Sequence, residues 1–140
     1  YGDYRRWFDA LQLDGGKKLI YCRHFFEALE WWRLTPRFDD PAWSDFQTNE
    51  RKALATVEDE TYVVCLFDET LSSGELRHLK DTPYQGWWYD MDTGVYRLVG
   101  ECLPRDGRFG LPPKPDKRDW VFLLTDRSDW YANRPLAITI

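Results

Sequence analysis

A chain of 140 residues that is 43% hydrophobic and 17% aromatic has the length and apolar mass of one ordinary domain with a well-formed core. Its net charge of −5, from 19 basic and 24 acidic residues, argues against a nucleic-acid partner, which needs a concentrated basic surface; the longest basic cluster is only Lys114, Lys117 and Arg118. The sequence holds no run of about 18 apolar residues, so no membrane insertion is expected.

The first third reads as helical. Tyr4, Trp7, Phe8 and Leu11 share one helical face, and Asp14-Gly15-Gly16 breaks the pattern. A second helix is expected from about Gly16 to Trp31, with Asp14 as a cap. Its apolar stripe runs through Leu19, Cys22, Phe26 and Leu29, widened by Phe25 and Trp32, with charged residues opposite. It must stop before Thr35-Pro36, because a residue preceding proline is pushed out of the α region. Trp31 and Trp32 are expected to clamp this helix onto a sheet. Residues 1–34 therefore form the helical segment.

Residues 35–52 are polar and rich in proline and aspartate, and read as a long connection anchored by Trp43 and Phe46. From residue 53 the periods shorten to strand length. Residues 53–58 and 61–67 flank a turn at Asp59-Glu60, and a shorter strand falls near residues 75–79. Residues 84–90 and 95–100 flank Met91-Asp92-Thr93-Gly94. There Asp90 accepts from turn amides and Gly94 takes positive φ, as a hairpin loop of three to five residues demands. Residues 120–124 make a strand buried on both faces, with Asp119 fixing its entry. The fold class is mostly β: an antiparallel β-sandwich over residues 53–125, with the N-terminal helical segment packed against it and a tail at 126–140 whose last five residues could add an edge strand.

Several candidate sites compete with simple packing. Trp87 and Tyr89 share one face of their strand and could stack on sugar rings; Trp88 and Asp90 take the other face. One of these faces is core. Trp130 and Tyr131 lie in a polar tail and form a second candidate sugar platform. A glycosidase needs two carboxylates about 5–10 Å apart. The pairs Asp39-Asp40 and Asp90/Asp92 stand in turns, where Asp serves the backbone, so no catalytic residue is assigned. His24 and His78 are 54 residues apart and have no partners at ligand spacing, so neither a metal nor a cofactor is expected. Cys22, Cys65 and Cys102 are an odd set spaced 43 and 37 residues apart; reduced thiols are the simplest reading. The chain starts at Tyr1 without an initiator Met or a signal-peptide pattern, so it is expected to be a processed product or a piece of a longer protein.

Four motifs in order, WWRLTP (31–36), WWYDMDTG (87–94), FGLPP (109–113) and DWVFLL (119–124), resemble the β-sandwich family named for a collagen-binding domain of a collagenase. Members of that family lie C-terminal to an apiosidase-like glycoside hydrolase barrel, and residues 1–30 resemble the segment that joins barrel to sandwich. Two departures stand out: Met91-Asp92 replaces the family's usual Pro-Arg, and the tail from Asp126 runs past the usual end. The resemblance implies a non-catalytic C-terminal accessory module whose partner is the catalytic barrel of the same protein. A stand-alone carbohydrate-binding module and a collagen or extracellular-protein binder are the alternatives. It also implies a secreted or periplasmic parent, whereas the odd cysteine count points to a reducing compartment.

Overall fold

The computed structural model describes residues 16–37, 40–46, 52–67 and 74–127, with the side chains of residues 16–20, 22 and 31 excepted. The first expected helix, the cap at Asp14, Asp39 and the tail from residue 128 lie outside the described residues.

Helix α1 spans Gly16–Ala28 and is followed by a 3-10 turn, Trp31–Arg33. Eight strands follow in chain order: β1 Thr35–Pro36, β2 Lys52–Val57, β3 Thr61–Leu66, β4 Glu75–Leu76, β5 Tyr84–Asp90, β6 Tyr96–Cys102, β7 Phe109–Gly110 and β8 Trp120–Thr125. Six of them form one antiparallel sheet in the order β1-β2-β3-β8-β5-β6. β4 and β7 pair separately as a small antiparallel sheet. The fold is thus mostly β and antiparallel, as expected. Its second sheet has only two residues per strand, rather than the extended second layer of a symmetric sandwich.

The pleat explains how this sheet is covered on both sides. In β3 and β8 all six residues are buried. Val63, Cys65, Val121 and Leu123 face α1 with Trp87 and Tyr89, where Phe25, Phe26 and Leu29 close the cluster. Tyr62, Val64, Leu66, Phe122 and Leu124 face the other way, toward Trp43, Phe46 and the Leu76 of β4. Each strand therefore reads as a continuous apolar run, because both halves of its alternation are buried. Trp43 and Phe46 anchor the 40–46 loop, as expected. Arg77 also holds that loop, donating to the carbonyls of Pro41 and Ser44.

The second helix is shorter than its periodicity suggests. Glu30 adopts a φ of 60° and its amide bonds to the Glu27 carbonyl, so the α-helical repeat ends before the two tryptophans. Trp32 consequently turns outward and is 61% exposed, instead of clamping helix to sheet. β4 is likewise only two residues long, with His78 at a φ of 69° shortly beyond it. The β2–β3 turn lies where expected, with Asp59 at φ 64°.

Candidate functional site

The strand carrying the first candidate platform is β5. Trp87 and Tyr89 do share a face, and that face is the one under α1: they are 8% and 2% exposed. The Tyr89 hydroxyl donates to the backbone carbonyl of Tyr21 at 2.7 Å. Its ring lies 4.8 Å from Phe25 and 4.6 Å from Tyr96. Trp87 meets Tyr96 edge-on at 6.1 Å. Protein rings therefore surround these two side chains, and their geometry docks α1 onto the sheet. Trp88, on the opposite face, packs 5.1 Å from Phe122 and edge-on to Trp120 at 6.3 Å. Trp130 and Tyr131 lie outside the described residues.

The β5–β6 hairpin and the approach to β8 form one polar cluster. Asp90 accepts from the Asp92 amide at 2.8 Å, and its carbonyl takes the Gly94 amide, also at 2.8 Å. Gly94 stands at φ 73°, and a Cβ there would sit 2.7 Å from the Tyr21 ring, so this position needs glycine on two counts. Arg118 reaches Asp90 at 2.8 Å, Asp92 at 3.8 Å and Asp116 at 2.9 Å. Asp116 also accepts from the Arg118 amide and from the Trp120 indole Nε1. The Arg118 side chain holds the Asp116 carboxyl well below the usual carboxylate range, with the Trp120 indole assisting. Arg97 and Arg118 each place a guanidinium 5.1 Å from the Trp120 ring centroid.

This arrangement ties a turn to a strand entry. A glycosidase pair needs one carboxyl group that keeps its proton near neutral pH and a second one beside the sugar ring. Here Asp90 is 4% exposed, and Arg118 with the turn amide engages its oxygens. Asp40 accepts from the Ala42 amide and opens the 40–46 turn. Arg118 is the organising residue of the cluster. Its sequence signal is the DKRDW spacing, which sets an aspartate two residues before the arginine and the Trp two residues after it.

His24 is exposed on α1, and His78 stacks on Trp43 at 4.3 Å with Glu58 beside it at 3.2 Å. Among the described residues no group of three or more His, Cys, Asp or Glu side chains could hold a metal ion. Cys65 and Cys102 are both buried and neither is in a disulfide, and burial together with nearby Glu101 pushes the Cys102 thiol up to about 11.

The remaining feature is the outer edge of β6. Tyr96 and Cys102 are buried, but the five residues between them are not. Leu98 is 54% exposed, and Val95, Val99 and Leu103 beside it are exposed too.

No family model and no curated protein matches this chain. Solved structures do. A chain described as a glycoside hydrolase superimposes with a TM-score of 0.63 at 18% identity, over 87% of this chain and 27% of its own length. A glycoside hydrolase family 5 protein from Bacteroides vulgatus ATCC 8482 superimposes with a TM-score of 0.57 at 13% identity, over 78% of this chain and 24% of its own. The fold is therefore one that occurs within glycoside hydrolase chains, and this chain spans about a quarter of their length. Neither neighbour is described as binding collagen.

Proposed function

We propose that the chain is a non-catalytic accessory module of a glycoside hydrolase-like protein, packed on the catalytic barrel of the same polypeptide. The observation that carries this reading is the overlap of 87% of the chain with 27% of a glycoside hydrolase. The resemblance of residues 1–30 to a segment joining barrel to sandwich gives the same order of domains. The turn carboxylates agree: Arg118 pairs with Asp90 at 2.8 Å and holds the Asp116 carboxyl well below the usual carboxylate range, the reverse of a general acid that keeps its proton near neutral pH. For glycan contact by the module itself, Trp130 and Tyr131 stay as the candidate platform, because the rings of Trp87 and Tyr89 are packed against protein.

The test compares the 140-residue chain with the longer polypeptide of its reading frame, on aryl glycosides and plant oligosaccharides. Hydrolysis by the longer polypeptide alone is the expected result. Turnover by the 140-residue chain, lost on Asp90→Asn or Asp92→Asn, would overturn the proposal.

A further inference from the structure

We propose that residues 95–103, the outer edge of β6 with its flanks, are the surface through which this module meets the catalytic domain. This deepens the accessory-module reading and rests on it.

Among the described residues, five large apolar side chains are exposed: Trp32, Val95, Leu98, Val99 and Leu103. Four of the five belong to residues 95–103. Among the described strands β6 ends the sheet order, pairing with β5 on its inner side. Leu98 aligns with Trp87, which places it on the face that carries α1. The register then shifts: Gly86 aligns with Gly100, so Val99 is the extra residue of a bulge. The Val99 Cβ lies 3.4 Å from where a Cβ on Gly86 would stand, beside Phe122 on the opposite face. Leu98 and Val99 thus form a ridge straddling the sheet edge, with exposed Val95 and Leu103 flanking them in sequence. Among the described side chains of α1, Arg23, His24 and Glu27 face outward.

The same details select the occupant. A flat bare edge invites an added strand, but a bulge and the charged side chains on β6 oppose that mode. Here the bulge at Val99, Gly100 at φ 113° and the exposed Arg97 and Glu101 interrupt the edge, leaving side-chain contact with an already folded surface. The ridge is also small. A free-standing complex engages about 20–30 residues a side, whereas a tethered domain meets its neighbour at an effective concentration in the mM range and holds with far less area. The structural neighbours supply that tether: in each, roughly three quarters of the polypeptide lies outside the part equivalent to this chain.

Hydrogen exchange on the 140-residue chain and on the longer polypeptide of its reading frame tests the assignment. Amides of residues 95–103 should slow by about tenfold or more in the longer polypeptide. Leu98→Asp with Val99→Asp should abolish that slowing while leaving the melting temperature of the isolated chain within a few degrees. Slowing confined to another surface, α1 and Trp32 for instance, would overturn this assignment and leave the accessory-module reading standing. No slowing anywhere on the module, or a reading frame without a catalytic domain, would overturn both.

Discussion

The hydroxyl of Tyr89 donates a 2.7 Å hydrogen bond to the backbone carbonyl of Tyr21, joining the C-terminal end of β5 to the middle of α1 across 68 residues of sequence. With Phe25 and Tyr96 around the ring, this contact turns an apparent sugar platform into a helix dock. Tyr89→Phe should cost about 0.5–1.5 kcal/mol, because the Tyr21 carbonyl keeps its helical donor. Trp87→Ala should cost about 3–5 kcal/mol through the space it empties. Urea denaturation measures both. Wild-type stability in the two variants would show that α1 does not rest on this face.

Gly86 is a packing requirement. An added Cβ would stand 2.9 Å from Cys102 Sγ and 3.5 Å from the Phe122 ring. Gly86→Ala should therefore destabilise by about 1–3 kcal/mol. Because the closest clash is with one sulfur atom, combining it with Cys102→Ala should recover part of the loss. A double-mutant cycle by denaturant titration reads that coupling. Strict additivity would place the clash elsewhere.

Asp116 sets part of the acid stability. Its folded-state pKa is depressed below the ordinary value of about 3.9 by Arg118 and Trp120. The stabilisation it brings is then complete above that ordinary value and is lost as pH falls toward the folded one. Asp116→Asn should lower the melting temperature at pH 7, and its gap from wild type should narrow steadily between about pH 4 and pH 2. A gap that stayed constant over that range would mean that the charge on Asp116 contributes nothing.

Cys102 should be chemically quiet. With its thiol raised to about 11, only about a thousandth is thiolate at pH 8. Peptide-resolved alkylation of the native chain at pH 8 should leave Cys102 unmodified while the denatured chain reacts. Fast native labelling at Cys102 would contradict the buried, uncharged thiol described here.

Much of the sheet was legible because its signals are local. β5 coincides with the run 84–90, and the hairpin turn follows from Asp90 and Gly94, whose roles need only nearby backbone. β3 and β8 announced themselves by unbroken apolar runs. The misplacement of Trp32 has a local cause that no periodicity encodes, the left-handed turn at Glu30. Strand order was not legible. β8, the last described strand, inserts between β3 and β5, which leaves β6 at the rim with Leu98 exposed. The β4–β7 pairing, Leu76 with Phe109, spans 33 residues and is equally invisible to a local pattern. As for the candidate site, alternation put Trp87 and Tyr89 together on one face, yet only the position of α1 decided that this face is interior.

The most direct measurement of the accessory-module account is calorimetry on the longer polypeptide, with and without residues 1–140. Removing the module should lower the melting temperature of the catalytic domain by several degrees, since an interface that stabilises one partner stabilises both. A catalytic domain that melts at the same temperature with or without these 140 residues would contradict the account.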